Sequence, residues 1–427
     1  MLGRILSPIR AFNPQTRLFF AAIVGLTFVA DGLYSVLLNL YLLRLGYGTE
    51  FIGLVNAVGL LTFGLASLPA GILGSRMSTT GLMKFGAFTC LAGGLLLPLA
   101  EWLPPGWREA GLVFPPALMF GGFAFFFVNG APYLINVVDK AYKHQAFALK
   151  AAYWSLAGFA GSLVGGILPG IIAGINGWTL DDPDPFRITF ALANVVLALS
   201  AALSLRIRPL SRKAGPARQE TSVDQGGSGK GLAASILMLI AIMTVIRLFQ
   251  VAGSATAMVY FNVYMDQHLA VSTALIGAMA AIGRLTGVPT ALLTPSLVQR
   301  WGNIRVVIGA SMVATVCLIP LALLEHWLAA SFGYIGAISM MSVRYTAFIV
   351  YILDLAPRKY QALMAGTGEA AAGLSFAMMA LGGGLLLTAF TFRDLFLVGA
   401  LIAFIGTALF WLYVFVTEPK RKLKPAL

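Results

Sequence analysis

The chain has 427 residues, of which 59% are hydrophobic and 11% charged, and its mean hydropathy is +0.87. A water-soluble fold of this length needs about a quarter of its residues charged to cover its surface, so lipid is the solvent for most of this chain. The formal net charge of +13 raises nucleic acid as a partner, but the distribution of that charge along the chain argues against it.

A bilayer core of about 30 Å takes roughly 20 apolar residues per helix. Runs of that kind predict helices near 17–43, 51–74, 81–101, 112–138, 150–174 and 186–206. They resume near 233–264, 273–297, 304–324, 328–353, 362–389 and 394–416. The first run follows Arg4, Arg10 and Arg17 and is too long for the apolar core of a signal peptide, so it reads as an uncleaved span. Twelve spans place both termini on one side. With residues near the span ends counted in the adjoining loops, 22 of the 29 Lys and Arg fall in segments on that side, 4 on the other and 3 within spans. The acids lean the other way, with 9 of 16 in the opposite loops. This is the positive-inside bias. Both termini are therefore expected in the cytoplasm, in a multi-pass protein of the cell (inner) membrane, and no nucleic-acid partner is expected.

Cys90 and Cys317 fall in apolar stretches and read as reduced packing residues. His144, His268 and His326 are far apart in the chain, so no cluster of metal ligands is visible. Residues 207–231 carry Gly, Ser, Pro and charge without apolar periodicity, the composition of a flexible linker. The chain thus divides into an N-terminal six-helix bundle (1–206), a cytoplasmic linker (207–231) and a C-terminal six-helix bundle with a short basic tail (232–427).

The two bundles resemble each other. Asn39-Leu-Tyr41 ends the first span and Asn262-Val-Tyr264 the seventh. Ile52-Gly53 and Ile276-Gly277 follow, each 23 residues ahead of an arginine, Arg76 or Arg300. Asp139 closes span four and Asp354 closes span ten, with Asn129 and Arg344 each ten residues earlier. Five landmarks in one order indicate an internal duplication, of the parallel type whose halves are related by an axis along the membrane normal.

The loops after spans two and eight read Gly71-Ile-Leu-Gly-Ser75-Arg76-Met-Ser78 and Pro295-Ser-Leu-Val-Gln299-Arg300-Trp-Gly302-Asn303. In these loops and in its whole layout the chain resembles the major facilitator superfamily, which carries Gly-x-x-x-Asp-Arg-x-Gly-(Arg/Lys)-(Arg/Lys) after helix two, often echoed after helix eight. Each copy here keeps the arginine and has Ser75 or Gln299 in place of the acid. The resemblance implies an all-α membrane protein of twelve transmembrane helices in two pseudo-symmetric six-helix bundles. It further implies a central cavity lined by helices one, four, seven and ten. It also implies a cytoplasmic gate at Arg76 and Arg300, for which simple positive-inside anchoring is the alternative.

A charge inside a span costs about 2.5–3.5 kcal/mol on insertion scales, and Asp31, Arg247, Arg284, Arg344 and Glu369 each carry that cost. Asp31 lies about 21 Å along the helix from Arg17, with Ser35 and Asn39 on the same face. It suits a proton acceptor or a substrate contact. Span four offers Asn129, Tyr133 and Asn136 at i, i+4 and i+7, and span ten answers with Arg344, Phe348 and Tyr351. The Arg344 guanidinium is a rigid fork suited to carboxylate or phosphate. It either receives an anionic group of the substrate or pairs with Glu369, whose protonation would then release it. Arg247 is expected to snorkel toward the cytoplasm, and Arg284 has no partner visible in the sequence. The glycines of spans five and eleven fit closely packed helices.

No Walker-type phosphate loop, ATP-holding domain or nucleophilic triad is present, so neither a primary pump nor an enzyme is expected, and no cofactor. The reading is a monomeric secondary transporter, working by alternating access on a small anionic or zwitterionic solute with proton coupling. Sodium coupling through Asp31 and Asn39 stays open. Export of drugs, amphipathic compounds or lipids is the second reading, and a non-transporting membrane sensor the third.

Overall fold

The computed structural model describes residues 13–138, 143–208, 229–355 and 358–422. Asp139, linker residues 209–228 and the side chains of Ser75 and Asp354 lie outside that description. Six long helices form the first half: α1 (Pro14–Arg44), α2 (Thr49–Arg76), α3 (Thr79–Leu96), α4 (Pro105–Val137), α5 (Lys143–Asn176) and α6 (Asp184–Leu205). Six more form the second: α7 (Gly229–Val263), α8 (Thr273–Trp301), α9 (Asn303–Leu323), α10 (Trp327–Leu355), α11 (Arg358–Leu386) and α12 (Phe392–Lys422). Eleven are long and apolar enough to cross a membrane as single rods, and α8 makes the twelfth with a 48° bend after Thr290. Pro289 and Pro295 flank that bend, which is where a kink is expected.

Helix ends follow local chemistry. Asn13 caps α1, its side-chain oxygen accepting from the Thr16 N–H at 2.8 Å, with Pro14 in the first turn, a favoured start. The same helix contains a π turn at Phe28–Leu33, an irregularity that recurs at functional positions.

The packing scheme of one half recurs in the other. In the first, α3 packs on α4, α2 on α4, and α6 on both α1 and α3; in the second, α9 packs on α10, α8 on α10, and α12 on both α7 and α9. Between halves, the extensive interfaces are α2 with α11 and α5 with α8, which also exchange under the same symmetry.

Lipid gives helices no hydrophobic drive to associate, so close contact depends on small residues. A Cβ on Gly32 of α1 would stand 2.7 Å from the Gly161 Cα of α5, and one on Gly277 of α8 would stand 2.5 Å from the Gly166 Cα of α5. Gly277→Leu is therefore expected to lower the thermal unfolding midpoint in detergent, at about 1–3 kcal/mol for an overpacked contact. Gly170→Leu, where a Cβ meets nothing within 4 Å, should leave the midpoint unchanged.

Twelve crossings put residues 13, 208, 229 and 422 at one end, called here the terminus end, and the α1–α2 turn at the far end. Among the described residues, the hydrogen bonds and ion pairs between halves all lie from the level of Asp31 and Arg284 toward the far end. Arg44 grips Asp266 there with two bonds of 2.6 and 2.7 Å and donates to the Leu180 carbonyl at 2.6 Å. The halves are joined at the far end.

Candidate functional site

Two groups of charged side chains occupy the membrane-spanning region. The first joins the halves. Asp31 sits in the π turn of α1 and accepts a hydrogen bond from Nη1 of Arg284 on α8. The side chains are 24% and 12% exposed, respectively, so the pair is largely removed from water. Gly158 of α5 forms its wall: a Cβ there would stand 3.1 Å from Asp31 Oδ2 and 3.2 Å from Arg284 Nη1. Tyr334 of α10 lies against Gly283, within the electrostatic reach of both charges. The depth match was open to sequence reasoning. Arg284 lies 11 residues after Thr273 and Asp31 lies 13 before Arg44, about 16 and 20 Å from the far end.

The second group lies within the C-terminal half. Arg344 of α10 is 2% exposed and donates through Nη1 to the Gln250 carbonyl of α7. Arg247, one turn earlier on α7 and 5% exposed, lies over the rings of Tyr345 and Phe348 at 5.3 and 5.4 Å. It does not snorkel to the terminus end as expected, because these rings and the Glu369 carboxylate hold it inside. Glu369 of α11 lines a small pocket with Arg247, Tyr345, Phe348, Ile349 and Ile352, its carboxylate facing the Tyr345 hydroxyl. The acid thus faces Arg247, and Arg344 turns to α7 instead. Among the described residues, Arg247 Nη1, both side-chain polar atoms of Gln250, and Arg344 Nε and Nη2 are buried without a hydrogen-bond partner.

The other expected site residues are scattered. Asn39 is 3% exposed and donates to the Val259 carbonyl of α7 at 2.7 Å, while accepting from Asn56. It belongs to the far-end contact between halves. Asn129, Tyr133 and Asn136 do not form one cavity stripe. Asn129 donates to the Ala70 carbonyl of α2 at 3.2 Å, and Tyr133 packs on Phe19 of α1 at 5.7 Å. Asn136 is exposed and bonds its own helix at Pro132. The reason is that α2 and α1 cover that face of α4 over its buried length. Tyr351 is 8% exposed, edge-on to Phe410 of α12, inside the C-terminal core. Arg76 and Arg300 are both exposed at the terminus end, Arg300 over its neighbour Trp301. Arg247, Arg284, Gln250 and Tyr345 are the residues that sequence reasoning did not place in a site.

The family model described as Major Facilitator Superfamily matches residues 18–366 and, in a second match, 245–427. No curated protein sequence matches at a significant level. Among solved structures, a point mutant of the nucleoside transporter NupG is similar at a TM-score of 0.67 and 14% identity, over 93% of this chain and 99% of that one. The D-xylose-proton symporter is similar at 0.70 and 14%, over 93% and 97%. A bacterial homologue of the human lysosomal transporter Spinster, inward-facing and unoccupied, is similar at 0.68 and 12%, over 94% and 97%.

Proposed function

The chain belongs to the Major Facilitator Superfamily, and on that premise we propose that it moves a small anionic or zwitterionic solute by alternating access, coupled to a proton. It is a multi-pass membrane transporter and not an enzyme. The observation that carries the coupling is the ion pair between Asp31 and Arg284, one member from each half. A proton on Asp31 cancels the attraction that holds α1 against α8, and a rearrangement of the halves follows. The groups facing Asp31 are Arg284 and the Tyr334 phenol; Glu369, facing Arg247 and Tyr345, is the second proton site. One of the structural neighbours is itself a proton symporter. The basic terminus end suits the cytoplasm, with Arg76 and Arg300 exposed there as gate residues.

The test is transport in proteoliposomes with a panel of small organic acids and an entrapped pH dye. Wild-type protein should show counterflow, and uptake should carry protons inward. Asp31→Asn should retain counterflow and lose proton movement. Uptake indifferent to an imposed proton gradient would sink the coupling. Absence of counterflow with every acid, alongside movement of a labelled lipid or dye, would replace this reading by amphipath export.

A further inference from the structure

Arg247, Gln250 and Arg344 form an arrangement that the fold alone does not require. Arg247 and Glu369 line one pocket with Tyr345, the residue that follows Arg344 on α10, so all three share one level. The two guanidiniums are close enough to repel each other. Arg344 is buried with no acidic partner among the described residues; its one hydrogen bond there is to a main-chain carbonyl. An uncompensated buried charge is expensive, and unpartnered donors on it add to the cost. Five such polar atoms on three side chains, each no more than 5% exposed, meet where α10 crosses α7.

We propose that this is a binding site for a monoanionic carboxylate with an apolar body. This deepens, and rests on, the transporter reading above. The charge count selects the valence. Two arginines against one carboxylate, Glu369, leave a single positive charge, which a monoanion cancels and a dianion oversupplies. The donor geometry selects the group. Nε and Nη2 of Arg344 are the edge that accepts a carboxylate side-on, and the Gln250 amide adds one donor and one acceptor. The walls select the body: Phe348, Ile349 and Ile352 present apolar surface beside Arg247, and because that pocket is too narrow for a water-sized molecule, a hydrocarbon packs there only after the side chains part to admit it. Among the described residues, Glu369 answers Arg247 and no carboxylate answers Arg344. A ligand carboxylate fills the second role.

Benzoate is the probe, because it carries one carboxylate on an apolar ring; benzamide is its neutral counterpart, and inorganic phosphate a small anion without a body. Thermal unfolding of the purified full chain in detergent should show a saturable rise in midpoint with benzoate and none with the other two. Arg344→Gln should weaken benzoate at least tenfold while raising the midpoint of the unliganded protein, since it removes the unanswered charge. A structural role for Arg344 would give the opposite sign. Arg247→Lys, which keeps the charge, should fold and weaken binding less. Stabilisation by phosphate equal to that by benzoate, or benzoate binding untouched by Arg344→Gln, would overturn the site. Counterflow of labelled benzoate separates the two claims. Binding without counterflow refutes transport and keeps the site, whereas counterflow of other solutes without benzoate binding refutes the site and keeps transport.

Discussion

Asp31→Asn is expected to lower the unfolding free energy of the purified protein by about 3 kcal/mol, and Asp31→Asn combined with Arg284→Gln to recover most of that loss. An exposed ion pair is worth about 0–1 kcal/mol, and on that basis neither change would be felt. The Asp31–Arg284 pair is different, with side chains only 24% and 12% exposed and walled by Gly158. Removing one partner of a buried pair strands the other, at about 3–5 kcal/mol; the lower end applies because Asp31 keeps some contact with water. Replacing both by neutral residues strands nothing. The exchanged pair, Asp31→Arg with Arg284→Asp, should likewise fall less than either single change. Thermal unfolding of the single and paired variants gives the coupling energy directly. Additive losses would mean that the two side chains do not depend on each other.

The helices were legible because lipid imposes one requirement on every span, and hydropathy reads it. What it misread were ends that run past the apolar core. The fifth helix starts at Lys143 and the fourth at Pro105, ahead of the expected 150 and 112, because Lys143, His144, Arg108 and Glu109 are helical but not apolar. The duplication was legible because scaffold positions kept their residues. The pairing of charges was not. Asp31 and Arg284 are 253 positions apart, and Arg284 is the one charge in an otherwise apolar stretch of its helix, so the pattern does not fix which way that helix is turned. The same limit left the pairing of Glu369 with Arg344 as one of two readings and did not bring Arg247 to it. Arg247 and Arg344 reach one depth, and only helix rotation decides which of them the acid meets.

Asn39→Ala with Asn262→Ala is expected to open the far end. These residues stand at matching positions in the two halves, and the contacts they make also match. A shift of 223 residues carries Asn39 to Asn262 and Val36 to Val259. Asn39 donates to the Val259 carbonyl at 2.7 Å, and Asn262 donates to the Val36 carbonyl at 3.3 Å and to the Ser35 carbonyl at 2.5 Å. Each half thus holds the other by the same amide-to-backbone bond, across the axis that relates them. Both accepting helices keep their own ladders, so each lost bond costs only about 1 kcal/mol. Because both contacts break when the far end opens, the double variant shifts that equilibrium by about 2 kcal/mol, roughly 30-fold. Spin labels at Glu50 and Gln267, exposed at the far end in opposite halves, should move apart. Labels at Met77 and Trp301, 59% and 51% exposed at the terminus end, should draw together. Opposite signs at the two ends are what rocking halves require, and separation at both ends would mean that the clasp only holds the fold together.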